Sequence, residues 1–143
     1  MRQMMMTTTL IWLAMAAAAS AREKASPLPD AKQVKTISIK FDHPKLDDVE
    51  FIATRDDWKA IRASLLPAER DPKPADWEWV GTVKIVKKDG QPFRVELYTP
   101  SKDPGAFAAG KTSKQRVYYR GGKTAELVKA VNAAYEKSKK KDK

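Results

Sequence analysis

The chain has 143 residues, a formal net charge of +10 and no cysteine. This length allows one domain with a short appendage. The absence of cysteine excludes both disulfide bonds and a lipid-modified N-terminus, so the domain must depend on its apolar core for stability.

The N-terminus has the pattern of an export signal. Arg2 precedes the apolar run Leu10–Ala19, and the run ends in Ala19-Ser20-Ala21, small residues that a signal peptidase accepts. We expect a signal peptide over 1–21, cleavage before Arg22, and a periplasmic or extracellular protein without a membrane span. An uncleaved membrane anchor is the alternative, although Met4–Ala21 gives only 18 residues, three of them threonine, against about 20 for a spanning helix.

The charge changes little on cleavage, because residues 1–21 contain one arginine and no acid, which leaves +9. Residues 22–33 are predicted as a linker, 34–137 as the folded domain and 138–143 as a lysine-rich tail. Residues Lys137–Lys143 hold five lysines and one aspartate, four of the nine charge units, so the charge alone is weak support for a polyanionic partner.

Two strands and a helix are predicted in the first half of the domain. Val34–Phe41 alternates between apolar and polar residues, and Val49–Ala53 is a second, shorter strand. Thr54 is a suitable helix N-cap. The following stripe of Trp58, Ile61, Leu65 and Leu66 has helical spacing. Pro67 is expected to end this helix.

The segment from Trp77 to Thr99 predicts a β-hairpin. Apolar residues occupy odd positions on both sides of Lys88-Asp89-Gly90. A three-residue loop places Ile85 opposite Phe93 and Val83 opposite Val95, with Gly90 at the position that needs a positive φ.

The remaining chain is predicted as a long loop, a strand and a helix. Pro100–Lys114 is rich in small residues and lysine, Gln115–Arg120 alternates like a strand, and Thr124 to about Lys137 is amphipathic. The fold expected is therefore a single small α+β domain of order β-β-α-β-β-β-α. It has an antiparallel sheet of four to five strands and two helices on one face. Trp58, Trp77 and Trp79 are expected between sheet and helices.

The segment from Gly105 to Thr112 satisfies the phosphate-loop pattern G-x-x-x-x-G-K-[ST]. That chemistry needs a helix beginning at Gly110, Lys111 and Thr112, where the sequence instead predicts a strand. The match is interpreted as accidental, in a flexible loop of small residues, and no cofactor is expected.

Other chemical groups give weak signals. His43 is the only histidine, which leaves one imidazole for any catalytic triad, and it lies in a polar turn near several aspartates. No zinc or calcium spacing is present, so no metal site is expected. The adjacent pairs Asp47-Asp48 and Asp56-Asp57 give no reason to place two carboxylates across a cleft.

The outward face of the sheet carries the most distinctive pattern. If the strands belong to one sheet, alternation places tyrosines and basic residues together: Lys84, Arg94, Tyr98, Arg116, Tyr118 and Arg120, with Thr82 and Glu96 among them. Such residues can stack on rings and bind acidic groups. On this hypothesis, replacing Arg94, Arg116 and Arg120 by glutamine is expected to cost little stability but to weaken binding to an anionic polymer. The alternative is an ordinary solvated face, in which Glu96 partly balances Lys84.

Three functions remain open from the sequence. The leading hypothesis is an exported, non-enzymatic binding or interaction domain whose ligand is a protein or an acidic polymer. The second is an envelope polyanion binder acting through the basic sheet face and the lysine tail, with acidic polysaccharide preferred over nucleic acid because no nucleic-acid module is present. The third is a nucleotide-binding or hydrolytic enzyme. The oligomeric state is not indicated.

Overall fold

The computed structural model describes residues 27–71, 77–112 and 114–141. The predicted signal peptide and the first residues of the predicted linker lie outside the described residues. The same is true of positions 72–76, which include Pro72 and Pro74, and of positions 142–143 at the end of the predicted tail.

Seven strands form one sheet in the order β2-β1-β4-β5-β6-β7-β3, and every neighbouring pair is antiparallel. The α+β class with two helices is confirmed, but the expected four to five strands and the expected element order are wrong. The elements are β1 (Val34–His43), β2 (Leu46–Ala53), α1 (Arg55–Leu65), β3 (Ala68–Arg70), β4 (Glu78–Lys87), β5 (Pro92–Thr99), β6 (Ala106–Gly110), β7 (Arg116–Gly121) and α2 (Thr124–Lys141).

The strand β6 lies inside the segment that was predicted as a loop. Its sequence, Ala-Phe-Ala-Ala-Gly, is poor in β-branched residues and lacks apolar–polar alternation. It is nevertheless paired with β5 on one side and β7 on the other, and both of its faces are buried. Small residues fit here because larger side chains from the neighbouring strands cover them, and this tertiary cause leaves no periodic signal in the sequence.

The strand β3 was also missed. It has three residues, begins immediately after Pro67, and pairs with the outer edge of β7; the helix α1 has already ended at Leu65. A strand this short has no pattern of its own and exists because β7 presents an unpaired edge to it.

The central hairpin is confirmed in register and loop. Val83 lies opposite Val95 and Ile85 opposite Phe93. Gly90 has a φ of +87°, which L-residues with a Cβ rarely adopt. The alternation of large apolar residues is therefore sufficient to specify this pairing, because a shift by one residue would turn every one of them to solvent.

The helices cover one face of the sheet, here called the inner face. Thr54 caps α1 through a hydrogen bond from the Asp57 backbone N–H, and the Asp57 carboxylate accepts the Thr54 N–H in return. The shared core combines odd-numbered strand residues with one stripe from each helix. It contains Ile37, Ile39, Phe41, Val83, Ile85, Val95, Leu97, Phe107, Trp58, Ile61, Leu65, Leu127, Val131 and Ala134.

The folded part extends beyond both predicted limits. Leu28, in the predicted linker, is buried, and the backbone carbonyl of Pro29 accepts a hydrogen bond from Trp58 Nε1 at 2.9 Å. At the other end α2 continues to Lys141, so most of the predicted tail belongs to a helix.

A β-bulge in β4 corrects the expected position of two tryptophans. Trp79 lies opposite Tyr98 and Gly81 opposite Leu97, so one residue, Val80, is inserted in the register. Val80 consequently turns to the interior, whereas Trp79 is 41% exposed on the opposite side. Of the three tryptophans expected between sheet and helices, only Trp58 is confirmed there, since Trp77 also packs on the outer side.

Candidate functional site

The six basic and aromatic residues selected from the sequence all lie on the side of the sheet opposite the helices, here called the outer face. From the part of β4 that follows the bulge through to β7, even-numbered residues pair with even-numbered residues. The pairs are Lys84 with Arg94, Arg94 with Gly110, Tyr98 with Ala106, Arg116 with Gly110, Tyr118 with Ala108 and Arg120 with Ala106. The sequence did not show that β6 separates β5 from β7.

The small residues of β6 allow side chains of the two flanking strands, β5 and β7, to meet on the outer face. Ala106 and Ala108 point to the outer face and are each only 1% exposed. Tyr98 and Tyr118 are the cross-strand partners of Ala106 and Ala108, and the centroids of the two tyrosine rings are 6.3 Å apart. Trp77 completes this aromatic cluster, with its ring 5.8 Å from each tyrosine ring. The outer face therefore has a small apolar centre of its own, in addition to the inner core.

Glu96 is the electrostatic centre of the outer face. This residue is only 7% exposed, and it accepts a hydrogen bond from the Tyr98 hydroxyl at 2.8 Å and from Arg116 Nη1 at 2.6 Å. Arg94 Nε lies 3.5 Å from the other carboxylate oxygen. The sequence suggested Glu96 only as a partner for Lys84. The sequence did carry one signal for the role of Glu96, because it is the only acid among the outward residues predicted for the central strands.

These contacts change the protonation behaviour of the neighbours of Glu96. Burial, then the hydrogen bond and charge of Glu96, raise the pKa of Tyr98 well above its ordinary value. Burial alone would lower the pKa of the Arg116 guanidinium, but the charge of Glu96 and the two nearby tyrosines outweigh it and raise the pKa. Tyr98 therefore remains a proton donor and Arg116 a cation throughout the physiological pH range.

The arginines of the outer face have different roles. Arg120 donates hydrogen bonds to the carbonyl oxygens of Pro104, at 2.8 Å, and Lys102, at 3.1 Å, and its guanidinium lies 5.9 Å from the Trp77 ring centroid. It therefore secures the β5–β6 connection. Arg116 lies over the Tyr118 ring at 5.4 Å, and its side chain remains 34% exposed.

The residues of the phosphate-loop pattern have structural contacts in the sheet. The Gly105 carbonyl accepts a hydrogen bond from the Gly121 N–H at 2.9 Å, and the following residues form β6, which is paired on both sides. A Cβ on Gly110 would collide with the carbonyl of Gln115. Thr112 Oγ1 accepts the Gln115 N–H, and Lys111 is exposed. The segment is thus a strand and a turn, rather than the flexible loop that was expected.

The polar turn near His43 connects β1 and β2. The His43 ring stacks on Phe41 with centroids 6.0 Å apart, and its Nδ1 accepts the Lys45 N–H. A hydrogen bond with the Asp42 carboxyl, and the charge of that group, raise the pKa of Asp47. Within residues 27–71, 77–112 and 114–141, no group of three or more His, Asp or Glu side chains is arranged to hold a metal ion.

No protein family, curated protein or solved structure matches the chain. In the part of the chain that the structure describes, neither helix has the length and hydrophobicity needed to cross a membrane.

Proposed function

We propose that this protein is an exported, non-enzymatic binding domain that contacts its ligand through the outer face, at and around the aromatic cluster. The observation that carries the proposal is the composition of this face. The two helices leave it uncovered, yet it holds three rings in mutual contact, bordered by guanidinium groups. Export is supported by the sequence of residues 1–21, and a mass spectrum giving Arg22 as the mature N-terminus would test it.

The side chains of this face are held in place before any ligand arrives. Tyr98 and Arg116 are both bound to Glu96, which lies on the central strand β5. Ordering long side chains at an interface costs about 0.5–1.5 kcal/mol each, and a preorganised surface avoids much of that cost. Rings and guanidinium groups in fixed positions suit a ligand that combines flat faces with acidic groups.

The arrangement favours binding over catalysis because the negative charge of the central carboxylate, Glu96, is already balanced by its hydrogen-bond and ion-pair partners. Glu96 is engaged by a tyrosine and an arginine of its own strand, Tyr98 and Arg94, and by Arg116 of β7. A general acid or base needs a proton that it can exchange with a substrate, whereas this carboxylate acts as an anchor for its neighbours.

The test is an NMR titration of the mature, isotopically labelled protein with four probes: a heparin hexasaccharide, trigalacturonate, neutral galactotriose and a short acidic peptide. At least one probe is expected to shift backbone amides of β4, β5 and β7. Tyr118→Ala is expected to abolish the shifts, whereas Lys59→Ala, on the exposed side of α1, is expected to leave them unchanged. The proposal fails if no probe shifts any amide, or if the shifts are confined to the helices.

A second candidate is an envelope polyanion binder that uses the same face together with the lysines of α2. It is favoured by Lys40 and Lys84, exposed side chains that form no ion pair with any described residue. Such a protein would lose heparin affinity steeply with salt, because each contacted anion releases counterions. Replacing Lys140 and Lys141 of α2, together with Lys143, by glutamine measures the share of the C-terminal lysines. Affinity that disappears entirely in this variant would leave the sheet face without a role.

A further inference from the structure

A basic pocket lies on the outer face, beside the aromatic cluster and above strands β1, β2, β4 and β5. It encloses about 200 Å³, space for one small unit rather than for a length of polymer. Two of the residues predicted from the sequence contribute to it, and five others were not selected there. Its lining consists of Ser38, Lys40, Glu50, Trp79, Thr82, Lys84 and Arg94.

The strand register brings the polar groups of the pocket together. Ser38, Lys84 and Arg94 form one cross-strand row, and Glu50, Lys40 and Thr82 form the next. Directly opposite side chains in a sheet are about 5 Å apart at their Cβ atoms. Three cations and three oxygen-bearing groups therefore surround a single small space.

Trp79 forms an apolar wall of this pocket because of the bulge at Val80. Its indole N–H is already satisfied, donating to Thr82 Oγ1 at 3.3 Å. The residue nevertheless remains 41% exposed, which leaves ring surface available to a ligand. An exposed tryptophan ring beside polar groups is suited to packing against the flat face of a sugar.

The charges of the pocket favour an anion, but not a densely charged one. Lys40 and Lys84 form no ion pair within the described ranges, and Arg94 shares Glu96 with Arg116. Glu50 adds one negative charge to the lining. That carboxylate would repel a phosphate-rich ligand, yet it is a good acceptor for sugar hydroxyl groups.

We propose that this basic pocket binds one acidic sugar unit, carboxylated or sulfated, of a polysaccharide chain. The sugar ring packs on Trp79, the acidic group contacts Lys40, Lys84 and Arg94, and Glu50 accepts hydrogen bonds from ring hydroxyls. The inference rests on the proposed function and adds to it the class of ligand and the subsite that recognises its charge.

Calorimetry with trigalacturonate, and with galactotriose as the uncharged control, tests the proposal. The wild type is expected to bind trigalacturonate at least ten-fold more tightly than galactotriose. Lys40→Gln and Lys84→Gln, both exposed positions, are each expected to weaken binding of trigalacturonate about five-fold, and Trp79→Ala about ten-fold. Lys59→Gln, which removes the same charge from α1, is expected to leave the affinity unchanged.

Glu50→Ala separates a sugar site from a simple anion site. For a sugar site it weakens trigalacturonate binding, because a hydroxyl acceptor is lost. For a site that recognises only negative charge, removal of Glu50 strengthens the binding of both trigalacturonate and inorganic polyphosphate, and that result would overturn the proposal.

Failure of this inference and failure of the proposed function give different results. If Tyr118→Ala abolishes trigalacturonate binding while the Lys40, Lys84 and Trp79 variants leave it intact, the basic pocket is not the subsite and the binding surface stands. If the acidic peptide binds the outer face and both acidic saccharides do not, only the ligand class is wrong. If no probe binds the wild type, both proposals fall.

Discussion

Removing the carboxylate of Glu96 should destabilise the protein more than any other single charge change on the outer face. Glu96→Ala leaves the Tyr98 hydroxyl and the Arg116 guanidinium without their acceptor, and it leaves Arg94 without its ion-pair partner. The carboxylate is nearly inaccessible to water, so water cannot readily take its place. The stability loss therefore depends on how well the three donors rehydrate.

The magnitude follows from the exposure of these partners. A hydrogen bond to a charged group contributes about 1.5–3 kcal/mol when buried, whereas an exposed ion pair contributes about 0–1 kcal/mol. The side chains of Arg94 and Arg116 are 37% and 34% exposed, which places their contacts between these limits. We expect Glu96→Ala to lower the free energy of unfolding by about 2–3 kcal/mol, and Glu96→Gln by ~1 kcal/mol less because one acceptor remains.

Urea denaturation followed by tryptophan fluorescence measures this loss, since Trp77 packs on Tyr98. In thermal unfolding, the melting temperature of the Glu96→Ala variant should fall by roughly 10 °C, because a domain of this size loses about 4 °C per kcal/mol. Glu78→Ala is the matched control, since Glu78 is exposed and forms no ion pair in the described part of the chain. A loss below about 0.5 kcal/mol for Glu96→Ala, as expected of an ordinary surface site, would refute the view that this face is preorganised.

Three further predictions follow from the outer face and the strand beside it. Lys111→Ala should leave both stability and ATP affinity unchanged, because the preceding backbone amides belong to β6. Micromolar binding of Mg–ATP by the wild type that is lost in this variant, as measured by calorimetry, would contradict this expectation. Arg120→Gln should cost about 1–2 kcal/mol in urea denaturation, since charge-assisted hydrogen bonds to two carbonyl groups are lost. Lys84→Gln, at an exposed position, should lower the free energy of unfolding by less than about 0.5 kcal/mol. Equal losses of stability for Lys84→Gln and Arg120→Gln would contradict a structural role for Arg120. In an alkaline NMR titration, Tyr98 should ionise only above the ordinary tyrosine value of 10.0. Because its folded pKa is raised, its contribution to stability is complete below the unfolded value of 10.0 and is lost as pH rises further toward the folded pKa. Ionisation of Tyr98 at its ordinary value would contradict its burial against Glu96.

The parts of the fold that the sequence predicted are those set by local patterns. The hairpin around Gly90 has strong alternation on both strands and one loop length that keeps Val83 opposite Val95, so its register follows from the sequence. The cap at Thr54 likewise depends on neighbours within a few residues. The placement of the six outward residues on one face needed only strand alternation and membership of a single sheet.

Other features depended on contacts between distant parts of the chain. The alanine-rich β6 is a strand because β5 and β7 provide partners on both sides, and because rings from those strands cover its small residues. The inserted Val80 moves Trp79 to the outer face, where it borders the basic pocket. Glu96 has Arg94 and Tyr98 beside it on its own strand, but it became a centre of interaction only when the sheet brought Arg116 of β7 to the same carboxylate. Local patterns determine which residues a strand presents to each face, whereas the choice of neighbouring strands, and hence the chemistry of the site, is decided by tertiary packing.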